Sequence, residues 1–190
     1  MLYHTNNLQG TINRLYSEKQ YRPTSVAVLA DYDGRLLNVK SRHGSWHLPQ
    51  GFIEEGETVE EAFIRELEEE LGIDSLLETS NIKIMPFYSL AEKSGRLRNG
   101  FEKGKAYFFV TGNYTGLHSF SLQPEEISGV AWRKPEVVVK DYMIRNSTDK
   151  AKAISEILMP ENKVILPNFS RELIPDEDLG EIIYYKNGFC

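Results

Sequence analysis

Nine of the chain's 28 acidic residues fall between Gly51 and Ile73: Glu54, Glu55, Glu57, Glu60, Glu61, Glu66, Glu68, Glu69 and Glu70. Arg65 is the one basic residue among them, so the segment carries −8 in a chain whose net charge is −6. On a helix turning about 100° per residue, Glu66, Glu69 and Glu70 share one stripe of about 100° and Glu68 points away. Phe63, Ile64, Leu67 and Leu71 form the adjoining apolar face, which places the three carboxylates at the edge of a core. Like charges at these spacings repel, and more strongly where the core lowers the local dielectric. A hard divalent cation relieves such repulsion, and Mg²⁺ characteristically combines one or two carboxylates with water and substrate phosphates. Phosphate chemistry is therefore the first reading. The competing one, a solvated acidic face, is the usual fate of a charge run.

Spacing separates the two. Gly51, Glu57, Arg65, Glu66, Leu67, Glu69, Glu70, Gly72 and Ile73 fit the pattern G-x5-E-x7-R-E-U-x-E-E-x-G-U, with U aliphatic. Its seven fixed positions coincide by chance on the order of once in 10⁸ starting points at average residue usage. That pattern is the signature of the Nudix hydrolase superfamily, which this sequence resembles; Trp46-His47-Leu48-Pro49-Gln50-Gly51 and Val130-Ala131-Trp132 extend the likeness over roughly residues 24–140. The resemblance implies an α/β fold, an α/β/α sandwich with a mixed sheet and the motif helix packed between layers. It also implies Mg²⁺-dependent cleavage, with Mn²⁺ as alternative, of a pyrophosphate bond in a nucleoside diphosphate derivative. Carried over residue by residue, Glu66 and Glu70 would be the main metal ligands with Glu69 beside them, and the backbone carbonyl of Gln50 a further ligand. Gly51, Glu57 and Arg65 would brace the loop and helix. An arginine flanked by glutamates can hold a carboxylate through two hydrogen bonds without touching substrate.

Glu66 and Glu69 are candidates for the catalytic work, and a later acid can serve as base in such proteins. Glu126, beside Glu125 ahead of the Trp132 strand, fits that place; Glu102 is the rival, and a solvated helix start is the plain reading of Pro124-Glu125-Glu126. Lys93, Arg96, Arg98, Lys103 and Lys105 make a cationic stretch suited to steering polyphosphates, with Arg96, Arg98 and Lys105 as substrate contacts, while a solvated hairpin tip is the plain reading of such a run. Tyr88 could stack on a base, as could Trp46, Phe52 and Phe101, although aromatic side chains pack cores more often than they bind ligands. His43 and His47, near the motif, read as structural. Pro49-Gln50-Gly51 is similar to the entry of the RNA 5′-pyrophosphohydrolase and dinucleoside polyphosphate branches. Pro86 and Tyr88 lie near positions tied to ADP-ribose and dinucleoside polyphosphates, and nucleoside triphosphates are a further substrate class. A nucleotide-binding regulatory module without turnover is the reading from another class, since fold alone does not fix function.

Several elements must position these groups. Val26-Ala27-Val28-Leu29, a turn at Asp31–Gly34 and a return over 35–40 predict a hairpin, and 46–52 a short strand broken at Pro49. Thr58 with Glu61 three residues on has capping-box spacing and Gly72 is a helix stop, which predicts a helix over 59–71. Further strands are expected at 82–91, 105–111 and 128–133, a helix from Ser147 or Thr148 to Met159, and docking strands in the tail at 164–166 and 182–185. The division expected is a peripheral helical segment over 1–22, the hydrolase domain over 23–145, and a helix and tail over 146–190 packed on it.

At 190 residues, 41% hydrophobic and 26% charged, the chain suits one soluble domain with an elaboration. It has no apolar run of about 18 residues, and its start lacks the order of a secretory signal, which points to the cytoplasm and away from membranes. One cysteine, Cys190, excludes an internal disulfide framework and a cysteine zinc cage. The net acidity disfavours nonspecific duplex-DNA binding. A small nucleotide is the expected partner; capped or triphosphorylated RNA and a homodimer are compatible.

Overall fold

The structure, a computed structural model, describes residues 2–73, 78–92, 100–116, 120–145, 147–158 and 182–183. Strand β2 (Tyr21–Ala30) lies at its centre and is covered on both faces, which is why its middle reads as one apolar run. Ala27 and Leu29 enter one core cluster, Val26 and Val28 the other. Its partner β7 (Gly104–Tyr114) runs parallel to it along its whole length, from Tyr21↔Gly104 to Ala30↔Asn113. The remaining pairings are antiparallel, so the sheet is mixed. Strands β1 (Leu2–His4), β3 (Leu36–Ser41), β6 (Thr79–Glu92), β8 (Ile127–Arg133) and β9 (Ile182–Ile183) complete the order β1-β6-β7-β2-β3-β8-β9. The short strands β4 (Trp46–His47) and β5 (Gln50–Phe52) pair with β3 and β2, one on each side of Pro49.

Helices cover both faces. On one, α1 (Leu8–Glu18) and α2 (Val59–Leu71) share a core with residues from β2, β3, β7 and β8. On the other, α3 (Pro135–Ile144) and α4 (Thr148–Leu158) pack on Val26, Val28, Tyr107 and Phe109. This is the α/β/α sandwich, with α2 in a cluster that draws on both wings of one continuous sheet.

The helix that carries the motif begins and ends where its sequence dictates. The Thr58 hydroxyl accepts from the Glu61 amide at 3.2 Å and the Glu61 carboxylate accepts from the Thr58 amide at 2.8 Å, so two otherwise orphaned donors are satisfied together. Gly72 closes the helix in the left-handed region at φ 65° and donates back to Glu68.

Three expectations change. The segment 1–22 is not peripheral: Ile12 is fully buried, Leu15 and Tyr16 nearly so, and the Tyr16 hydroxyl donates to the Ile53 carbonyl. Its spacing showed the helix, but not what its apolar face would meet. Helix α3 lies in a stretch to which the sequence reading assigns no element; the run Val137-Val138-Val139 has poor helix propensity, and Pro135 at its start and burial of all three valines override that. Residues 124–126 form a turn rather than a helix start. The stretch 164–166 lies outside the described residues, while Ile182 and Ile183 pair with β8.

Candidate active site

Arg65 organises the site. Its Nε and Nη2 donate to the two oxygens of Glu57 at 2.9 and 3.0 Å, its Nη1 to Glu66 at 2.7 Å and to Glu69 at 3.3 Å, and Nη2 also to the Phe52 carbonyl at 2.7 Å. One rigid guanidinium thus ties the loop before α2, strand β5 and the carboxylate stripe together. Glu57 in turn accepts from the Glu54 amide at 2.7 Å. The hydrogen bonds to Glu57 and Glu66 hold Arg65 firmly in its charged form, above the usual range.

The three acids of the stripe differ in environment. Glu69 is exposed, Glu66 is half-buried, and Glu70 is only 5% exposed. Burial, then the charges of Glu66 and Glu126, push the Glu70 carboxyl up to about 8, opposed by the nearby backbone amide of Gln50. Glu66 is also raised, by burial, with Arg65 working against the shift. Glu70 Oε2 is a buried side-chain atom with no hydrogen-bond partner among the described residues. Such a group is costly unless something satisfies it. Gly51 explains how the carboxylates reach the loop: a Cβ there would stand 1.5 Å from the Glu66 carboxyl carbon, so the Glu66 headgroup occupies the space a side chain would take.

Among the described residues no three acidic or histidine side chains converge closely enough to ligate one ion. The acids share a neighbourhood, not a preformed cage, because Glu66 is drawn to Arg65 and like charges spread. The donors nonetheless suit a hard cation: all are oxygens, one buried oxygen lacks a partner, and the cluster is anionic. Glu126, exposed in the turn before β8, acts electrostatically on both Glu66 and Glu70, so the fold brings it to the stripe. Glu102 is exposed, and its backbone amide donates to the Lys19 carbonyl at the end of α1.

Other candidates stand elsewhere. Tyr88 is buried, with its ring stacked on Tyr3 and on Phe108 at 5.3 Å each, so its faces are already used and it offers no platform for a base. Phe101 and Trp46 are buried, and the Arg22 guanidinium lies 3.7 Å over the Phe52 ring. Lys105 alternates with Ala106 along β7 and so shares the α3–α4 face with Tyr107, opposite α2; there its charge acts on His47. That placement does not bring it to the carboxylate stripe. Lys93, Arg96 and Arg98 lie outside the described residues.

Of the support behind the sheet, sequence reasoning reached only His47, read as structural, and missed Tyr142 and Lys150. His47 Nδ1 is 3.0 Å from the Leu48 carbonyl, the Tyr142 hydroxyl accepts from the Leu48 amide at 2.9 Å, and Lys150 Nζ donates to Gln50 Oε1. The helix partners of Leu48 and Gln50 are about 100 positions away along the chain, beyond any spacing rule. Burial pushes the His47 imidazole down to about 4, with the cations of Lys150, Arg145 and Lys105 adding to the shift and the Leu48 carbonyl resisting it.

Comparison with known proteins accords with this arrangement. An RNA pyrophosphohydrolase of Erythrobacter litoralis is 32% identical over 133 residues, spanning 64% of this chain and 80% of that protein. An RNA pyrophosphohydrolase of a Nitratiruptor species is 26% identical over 162 residues, 82% of this chain and 97% of that one. Of solved structures, the E. coli dihydroneopterin triphosphate pyrophosphohydrolase superposes with a TM-score of 0.59 at 19% identity, covering 74% of this chain and 99% of its own. A C. elegans Ap4A hydrolase binary complex gives 0.54 at 16% identity, covering 73% and 98%. The family model for the NUDIX domain matches residues 20–155, from the start of β2 into α4, and on that match the chain belongs to the NUDIX family.

Proposed function

We propose that this pyrophosphohydrolase of the NUDIX family hydrolyses, with a divalent cation, the pyrophosphate bond at the 5′ end of an RNA or of a nucleotide related to it. The observation that carries the metal-dependent part is Glu70: a buried carboxylate with an oxygen lacking a partner, beside Glu66 and within the field of Glu126. Glu66, Glu69, Glu70 and the Gln50 carbonyl would hold the cation, Mg²⁺ first and Mn²⁺ as alternative. When bound, it supplies neutralisation of phosphate charge and acidification of a water. Arg65 keeps Glu66 and Glu69 oriented through its own bonds. Glu126, in the turn before β8 and acting electrostatically on Glu66 and Glu70, is the candidate to accept the proton of the attacking water as its oxygen bonds to phosphorus and the bridging P–O bond breaks. Glu66 is the rival base, already committed in part to Arg65.

The RNA end is favoured because relatives matched over most of their length are named RNA pyrophosphohydrolases; the Pro49-Gln50-Gly51 entry is compatible with it and equally with a dinucleoside polyphosphate. The cytoplasm is the compartment proposed; no described helix is long and apolar enough to cross a membrane. The test is turnover of a panel with and without Mg²⁺: 5′-triphosphorylated RNA, diadenosine tetraphosphate, ADP-ribose and oxidised dGTP. Mg²⁺-dependent release of pyrophosphate or phosphate from the RNA, faster than from the others, is expected. Faster cleavage of another substrate would reject the RNA assignment, and no turnover of any would favour a binding module.

A further inference from the structure

Gln50 is the residue at which the two faces of the sheet meet. It sits opposite Val26 in the antiparallel pairing of β5 with β2, so its side chain shares the α3–α4 face with Val26, while Gly51, opposite Ser25, shares the α2 face with Glu66. Its backbone amide lies by the Glu70 carboxylate and its side-chain oxygen accepts from Lys150 Nζ. Lys150 is 4% exposed, a rare degree of burial for a lysine, and its ammonium lies 3.8 Å from the Tyr107 ring centroid and 5.1 Å from that of Tyr142. The second ring is itself fixed, because the Tyr142 hydroxyl accepts the Leu48 amide. Two side chains from α3 and α4 thus grip Leu48 and Gln50, on either side of Pro49, where the chain enters β5.

We propose that Lys150 is a positioning residue that sets the Gln50 peptide from behind the sheet, and through it the cation site on the opposite face. This rests on the reading of Gln50 as a backbone-carbonyl ligand. Its side chain is then not a ligand but a handle, and whatever holds the handle decides where the carbonyl and amide point. A buried ammonium held near two rings is a better anchor than a solvated lysine, since packing restricts its torsions and the hydrogen bond forms in a dry setting.

The experiment uses the full-length chain, with Mn²⁺ binding in the absence of substrate read from the electron paramagnetic resonance signal of the free ion, alongside kcat and KM on the best panel substrate. Lys150→Met keeps the stem packed against Tyr107 and Tyr142 but removes the donor. It is expected to weaken Mn²⁺ binding on the order of 10-fold, as loss of a ligand's supporting partner does, and to lower kcat with KM moved less. Gln50→Met, which spares the backbone, should give the same losses and keeps the test open if Lys150→Met folds poorly. The double variant should be no worse than either single one, and Lys150→Arg, which retains a cationic donor, should recover much of the binding. Mn²⁺ affinity and kcat like wild type in a folded Lys150→Met chain would overturn the inference, as would additive losses in the double variant. Failure of the wild-type chain to bind Mn²⁺ would overturn the functional reading itself and this inference with it, and is distinguishable because no variant is involved.

Discussion

The Glu70 carboxyl, raised to about 8 by burial and by its acidic neighbours, makes the metal-free chain sensitive to pH in a definite direction. An acid whose folded pKa stands above its unfolded value stabilises the fold while protonated, and that contribution is lost as pH rises through the folded pKa. Thermal melts of the metal-free protein should therefore show Tm falling between about pH 4.5 and about pH 8, with Glu66 acting in the same direction. Glu70→Gln should flatten that slope; an unchanged slope would mean that the carboxyl is not the buried group described. Gly51→Ala makes a different demand. Its new Cβ would stand 1.5 Å from the Glu66 carboxyl carbon, and the displacement should cost about 10²-fold in kcat while the circular dichroism spectrum stays native. Turnover equal to wild type would show that the Glu66 headgroup does not need that space.

Arg65 ties strand β5, the loop before α2 and helix α2 together through five hydrogen bonds to Phe52, Glu57, Glu66 and Glu69. A lysine cannot reproduce the fork. Arg65→Lys should destabilise the chain by about 1–3 kcal/mol in urea unfolding, the scale of lost hydrogen bonds to charged groups. A loss under about 0.5 kcal/mol would reduce the network to surface ion pairing. Thr58→Ala should cost about 1 kcal/mol by removing the helix cap. Much of this element was legible, because a cap, a stop and a stripe are local events: residues 59–71 follow from Thr58, Glu61, Gly72 and the apolar spacing. The Arg65–Glu57 contact, eight positions long, was anticipated only through the motif. Helix α3 was not legible, because its valines favour a strand locally and only their burial against the sheet selects a helix.

At the scale of the molecule, the family's motif lies on one face of the sheet and its support partly on the other. Position along the chain concealed this: Lys150 and Gln50 meet across 100 residues, as do Tyr142 and Leu48 across 94, and no periodicity relates them. The same blindness made Tyr88 look available to a ligand and α1 look peripheral, since burial by a distant element leaves no local trace. The core behind the sheet is testable as a unit. Ile154→Ala, fully buried in α4, should cost about 2–5 kcal/mol and lower Tm; a smaller loss would mean that α4 packs loosely. The central claim, that the carboxylate stripe of α2 holds a divalent cation, is tested most directly by calorimetric titration of Mg²⁺ into the wild-type chain and into Glu70→Gln. Saturable binding by the wild type, weakened at least about 10-fold in the folded variant, is the predicted result. Equal binding by both, or none by either, would contradict it.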